Sequence, residues 1–181
     1  MVSLRSVITR QVLGYFFLHP QSELYLNEIS RRFGLDRGNL VRKLAELEQK
    51  GLLKSELRGN QRYYSLNSRY PFLREYKAII LKTVGIENEV KQVFSKIRGV
   101  ESVYIFGSYA KDQMDAGSDI DILVVGDCPH LAVEKAIAEL QKKTDRAINT
   151  VDFGKEEFNK RLHDKDSFLT DILKNNPLKV I

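Results

Sequence analysis

The chain has 181 residues, of which 43% are hydrophobic and 29% charged, and its net charge is +5. The hydrophobic share excludes a disordered polymer, and no apolar run approaches the roughly 18–20 residues that span a bilayer, so no membrane partner is expected. A single cysteine, Cys128, excludes an internal disulfide; with no signal-peptide pattern between Met1 and Leu18, the expected location is the cytoplasm.

The charge is divided along the chain. Residues 1–70 carry a net +6, residues 71–98 a net +3 and residues 99–181 a net −4. A basic first part suits a polyanion, and an acidic last part suits a metal site. From the N-terminus, apolar residues at 4, 7, 8, 12, 15 and 16 predict a helix from Leu4 to Leu18, stopped by His19-Pro20. Tyr25-Leu26 reads as a short extended segment, and Asn27 as the cap of a helix from Glu28 to Phe33 that Gly34 ends. Asp36 can cap a further helix running to about Lys50. In that helix Leu40, Leu44 and Leu47 face inward, with Arg37, Asn39, Arg42 and Lys43 mainly on the other side. Two strand-like runs, 53–57 and 62–66, flank Gly59-Asn60 and predict a hairpin.

Helix, short strand, helix, turn, helix and hairpin is the order of a winged helix-turn-helix. Over residues 3–68, with the pattern GLDRGNLVRKLAELEQKGLLKSE, the chain resembles the winged-helix domains of bacterial and archaeal transcription regulators. The resemblance implies that 36–50 is a recognition helix placing Arg37, Asn39, Arg42 and Lys43 at the major groove and phosphates of double-stranded DNA. It also implies that Arg58 and Arg62 at the wing meet phosphates or the minor groove. A protein-docking domain with a solvated charged face is the alternative.

Residues 69–98 read as a helical connector, with apolar positions at Phe72, Tyr76, Ile79, Ile80, Val84, Val90, Val93, Phe94 and Ile97, broken near Gly85. Its stripe calls for burial against a domain or against a second copy in a homodimer. Residues 102–106 then read as a strand, 119–125 as a second, 130–143 as a helix and 147–153 as a third strand. Short helices at 155–162 and 167–174 and a last strand at 177–181 complete the chain.

Between the first two of those strands lies GSYAKDQMDAGSDIDILV, from Gly107 to Val124. Gly107-Ser108 follows a strand and opens a helix, which suits a phosphate. Asp119 and Asp121 alternate onto one face roughly 7 Å apart. Carboxylates that close repel unless a cation lies between them, and Mg²⁺ prefers such oxygen donors. In the third strand, alternation puts Ile148, Thr150 and Asp152 on one face, offering a third carboxylate. His19, His130 and His163 read as surface or packing residues.

Gly-Ser at a strand end, Ser-Asp-Ile-Asp on the next strand and a later strand Asp resemble the nucleotidyltransferase superfamily of DNA polymerase β, in its minimal prokaryotic branch, over about 85–181. The resemblance implies that Asp119, Asp121 and Asp152 are catalytic and hold two Mg²⁺ ions. It makes Gly107, Ser108, Tyr109, Lys111 and Ser118 contacts for ATP or another nucleoside triphosphate. Lys111-Asp112 stands where family members often have Arg-Gly. The implied fold is α+β: a winged helix-turn-helix at 1–68, the connector at 69–98 and a minimal nucleotidyltransferase fold at 99–181, a small mixed sheet with flanking helices. The leading expectation is a DNA-binding regulator that moves AMP from ATP to a hydroxyl, with a helical toxin-type protein as the implied partner. The alternative is a non-enzymatic regulator whose degenerate domain binds nucleotide or a partner. Transfer to a small molecule, as in aminoglycoside nucleotidyltransferases, ranks lower because the domain is compact.

Overall fold

The computed structural model describes residues 5–83, 85–115 and 117–181 and divides the chain into two compact units, 1–85 and 86–181. Leu4 and Val84, expected on helices, and Ala116 of the Gly107–Val124 stretch lie outside the described residues. Among the described residues no helix is long and apolar enough to cross a membrane.

In the first unit, α1 (Val7–Leu18) starts at Ser6, whose hydroxyl accepts the Thr9 N–H at 3.4 Å. It buries Val12, Leu13, Phe16 and Phe17. β1 (Leu24–Tyr25) leads straight into α2 (Leu26–Phe33), so Asn27 lies inside the first turn and does not cap it. Gly34, at φ 60°, ends α2 in the left-handed conformation that costs glycine nothing. Asp36 caps α3 (Arg37–Gln49) by accepting the Asn39 N–H at 2.8 Å. Leu40, Leu44 and Leu47 of α3 are fully buried, each worth about 1.5–3 kcal/mol of transfer free energy. β2 (Leu53–Arg58) and β3 (Gln61–Leu66) form the hairpin about Gly59-Asn60, and β1 adds to β3, giving an antiparallel sheet of order β1-β3-β2. α4 (Leu73–Thr83) packs on α1 through a face that buries Tyr76 and Ile80. Phe72 and Ile79, expected in a buried stripe, are 60% and 47% exposed.

The second unit is a mixed four-stranded sheet of order β6-β5-β4-β7. Its strands are β4 (Val100–Phe106), β5 (Ile120–Gly126), β6 (Ile148–Phe153) and β7 (Leu178–Lys179). β5 pairs antiparallel with β4 and parallel with β6, while β7 closes the far edge antiparallel to β4. The parallel pair needs a crossover, supplied by α7 (His130–Thr144), which packs beside α5 (Ile86–Phe94). Ile120, Ile122 and Val124 share one sheet face with Val103 and Ile105. Leu123, Val125 and Phe153 face the other way, onto Leu169 and Ile172 of α9 (Ser167–Lys174) and Phe158 of α8 (Lys155–His163). Both faces of β5 are therefore covered, which explains its unbroken apolar run.

Candidate functional site

The end of β4 and the start of β5 lie side by side, with Phe106 opposite Asp121. Gly107 turns the chain at φ +70° into the four-residue helix α6 (Gly107–Ala110). A Cβ at position 107 would lie 2.1 Å from Asp121 Oδ2, so only glycine leaves room for that carboxylate over the turn. Asp119 stands immediately before β5, exposed, and Asp121 is half-buried within it. The parallel register sets Asn149 opposite Asp121. Its Nδ2 donates to Asp119 Oδ2 at 3.3 Å and to Asp121 Oδ1 at 3.1 Å, tying the two carboxylates together. Asn149 escaped the sequence reading, although the alternation that grouped Thr150 with Asp152 also placed Asn149 on the opposite face.

The segment before Asp119 is held by its own polar groups. The Asp115 N–H donates to Ser118 Oγ at 2.9 Å, and that hydroxyl donates to Asp115 Oδ1 at 2.8 Å. The Gly117 N–H donates to the same carboxylate at 2.9 Å. The Ser118 hydroxyl, and then the Gly117 N–H, hold the Asp115 carboxyl below its usual range. Buried Arg146 donates from Nη1 to the Ser118 carbonyl at 2.9 Å, linking the approach to β6 with the approach to Asp119. Ser118, expected to touch nucleotide, directs its hydroxyl at Asp115 instead.

Two further expectations change. Asp152 pairs with Val124, not with Asp121, and so projects from the face opposite the carboxylate pair. There it lies 3.4 Å from His130 Nδ1, with Glu134 3.5 Å from His130 Nε2, beside a cavity of about 280 Å³ under α7. Among the described residues no group of three His, Cys, Asp or Glu side chains is arranged to hold a metal. Tyr109, expected at the nucleotide, is only 7% exposed and donates to Glu87 Oε1 of α5 at 3.3 Å. Burial, and then the Glu87 carboxylate, push its phenol far above the usual range. A phenol held neutral this way stabilises the fold below the ordinary tyrosine pKa of about 10 and loses that contribution as pH rises beyond it, by about 1.4 kcal/mol per pH unit. Tyr109→Phe should therefore flatten the alkaline arm of a urea-stability profile, while leaving nucleotide affinity unchanged. Lys111 is exposed at the end of α6, and Asp112 follows at φ 54°, a left-handed conformation that glycine adopts more readily.

In the first unit, Arg37, Asn39 and Arg42 lie exposed on α3, and Arg42 donates to Asn39 Oδ1 at 2.6 Å. Lys43 is half-buried and paired with Glu46, whose other oxygen receives Lys50 at 2.7 Å. These two ammonium groups hold the Glu46 carboxyl down at about 2. Arg58 is bound to Glu23 and Glu56, each at 2.6 Å, and lies over the Tyr63 ring, while Arg62 reaches Glu48 at 3.6 Å. Lys43 and Arg58 are thus matched by carboxylates of their own chain, which reduces the positive surface expected there. A cavity of about 360 Å³ between α3 and the hairpin is lined by Arg37, Val41, Glu48, Asn60, Arg62 and Tyr64, among others.

Residues 86–178 match the family described as Nucleotidyltransferase domain. Over 80 residues the chain is 37% identical to a protein adenylyltransferase homologue from Methanocaldococcus jannaschii, covering 44% of this chain and 80% of that protein. The chain belongs to the nucleotidyltransferase domain family. Among solved structures, a toxin–antitoxin pair with AMP-PNP includes a chain 21% identical at a TM-score of 0.40, over 52% of this chain and 72% of that one. The complex of tri-AMPylated Shewanella oneidensis HEPN toxin with MNT antitoxin matches at 20% identity and a TM-score of 0.36, over 53% and 69%. Reduced HlyU from Vibrio cholerae matches at 28% identity and a TM-score of 0.35, over 44% and 77%. Likenesses at such TM-scores carry no functional weight.

Membership of the family implies a nucleoside triphosphate donor and usually a divalent cation. The residues present fit one such ion: Asp119 and Asp121 supply hard anionic oxygens, and their two charges balance a single +2.

Proposed function

We propose that the chain is a DNA-binding regulator whose second unit binds ATP, or another nucleoside triphosphate, with a divalent cation and transfers the nucleoside monophosphate to a hydroxyl of a partner protein. The observation that carries this reading is the convergence of Asp119 and Asp121 on Asn149 beside the Gly107 turn. The cation would be held by the two carboxylates, and it supplies charge neutralisation at the phosphates. Gly107 and Ser108 would line the path of the triphosphate, and exposed Lys111 would contribute positive charge to it. In the transfer, the acceptor oxygen attacks the α-phosphorus, the bond to the β-phosphate oxygen breaks, pyrophosphate leaves, and the hydroxyl proton goes to solvent. The relative named as a protein adenylyltransferase homologue favours AMP as the group and protein as the acceptor, and a toxin-type protein is the candidate partner.

A second reading, nucleotide held without transfer, is favoured by an amide at Asn149 and by Asp152 on the opposite face. Incubating the full chain with α-phosphate-labelled ATP, Mg²⁺ and the partner separates the two. Label on the partner supports transfer; magnesium-dependent binding with no pyrophosphate released supports the second reading.

The first unit is read as a winged helix-turn-helix that binds duplex DNA. The element order, the β1-β3-β2 sheet and the net +6 over residues 1–70 support this. Arg37 and Arg42 are the exposed cations of α3. Changing both to alanine should weaken binding to random duplex about tenfold or more and lower its salt slope by about 1 for each phosphate no longer neutralised. An unchanged gel shift across salt would remove α3 from the interface.

A further inference from the structure

We infer that the Asp119–Asp121 site, with the neutral amide of Asn149 where a third carboxylate would complete it, holds one divalent cation per bound nucleotide. The inference rests on the nucleotide-and-cation reading above and deepens it. A two-cation site, with ions about 3.5–4 Å apart, clamps both the attacking and the leaving oxygen; the nucleotide's phosphates supply part of the oxygen shell and the protein's carboxylates must supply the rest. Here the pair supplies two negative charges, and the third group in contact with both carboxylates is a neutral amide. Its Nδ2 donates to one oxygen of each, at 3.3 and 3.1 Å, so it takes up an acceptor on Asp119 and on Asp121. Among the described residues, the protein's side of the shell is thus two carboxylates and no third. The nearest acid along the same strand, Asp152, cannot join them, because its register with Val124 sends it through the other face of the sheet.

The position is structurally ready for an acid. Asn149 lies directly opposite Asp121 on a parallel strand, exposed and aimed at the pair. Aspartate has nearly the same shape and would exchange a donor for a third carboxylate. Without a cation, three carboxylates so close together would repel one another; a second cation would relieve that repulsion, and the added carboxylate would give it a ligand. Asn149→Asp should therefore bind two cations per nucleotide and depend more strongly on them for stability. Asn149→Ala removes the amide without adding charge and should stay at one cation.

The test counts bound Mn²⁺ by electron paramagnetic resonance on the full chain, saturated with an α,β-methylene ATP analogue that cannot transfer its nucleotide. Thermal unfolding with and without Mn²⁺ is measured alongside. The expected counts are one ion for the native chain, one for Asn149→Ala and two for Asn149→Asp, with the largest Mn²⁺-induced rise in Tm in the aspartate variant. Two ions in the native chain, or a count of one in a folded Asn149→Asp, would overturn the inference and leave the nucleotide reading standing. Analogue binding that ignores Mn²⁺ altogether would overturn both.

Discussion

Asp121→Ala is expected to reduce magnesium-dependent ATP binding by more than about 100-fold, the equivalent of about 2.7 kcal/mol. Asp121 is the half-buried member of the pair, with its backbone set between β4 and β6 and one carboxylate oxygen resting over Gly107. Its charge therefore acts from a fixed position with less water to screen it than Asp119 has. Asp121→Asn keeps the shape and removes the charge, so it should fail nearly as badly if the carboxylate binds a cation. Near-native affinity in Asp121→Asn would mean that the residue only shapes the turn. Asp119→Ala should cost less, because Asp119 is exposed and outside the strand, and the double change should abolish binding. Calorimetric titration with ATP in magnesium reads all four.

Gly107→Ala should damage both stability and binding. The new methyl carbon would lie 2.1 Å from Asp121 Oδ2, which forces the carboxylate to shift, and 3.1 Å from Asp121 Cγ, a tighter approach than ordinary contact. The backbone is also at φ +70°, where any residue with a Cβ costs roughly 1–2 kcal/mol. The carboxylate can swing away, but then it leaves Asn149 and the pair opens. We expect a total loss of about 2–3 kcal/mol in urea unfolding, combining backbone strain with displacement of Asp121. ATP affinity should fall with it even at temperatures where the variant remains folded. A variant as stable as the native chain, with unchanged affinity, would show that the turn is not coupled to the carboxylate.

The fold was legible wherever the signals were local. Ser-Asp-Ile-Asp at the head of an apolar run, Gly34 after a helix, Asp36 before one, and Gly59-Asn60 between two strand-like runs each act over a few residues. Each corresponds to an element of the structure. Asp152 was misplaced for a reason of another kind. Alternation states which residues of a strand share a face, but not which face meets which on the neighbouring strand. The register Asp121↔Asn149 settles that, and a shift of one residue would have exchanged Asn149 for Thr150 and sent Asp152 to the other side. The resemblance alone put Tyr109 at the nucleotide; its burial and its hydrogen bond to Glu87, 22 residues away, are not visible in the local sequence. The pairing of Arg58 with Glu23, 35 residues upstream, was equally invisible in a local reading.

Asp112 is a further residue near the turn where a change should improve the protein. It occupies a left-handed position at φ 54° just beyond Lys111, close in sequence to the turn that opens at Gly107. Asp112→Gly would relieve about 1 kcal/mol of backbone strain and remove a negative charge beside the proposed path of the triphosphate. A modest gain in both stability and ATP affinity is expected.

Everything proposed for the second unit depends on its holding a nucleoside triphosphate through a cation on Asp119 and Asp121. Equilibrium dialysis of labelled ATP against the full chain, in Mg²⁺ and in excess EDTA, decides this. The expected result is one ATP bound per chain in magnesium, lost in EDTA and absent from the Asp119→Ala, Asp121→Ala double variant. Equal binding in EDTA, or by that variant, would contradict it.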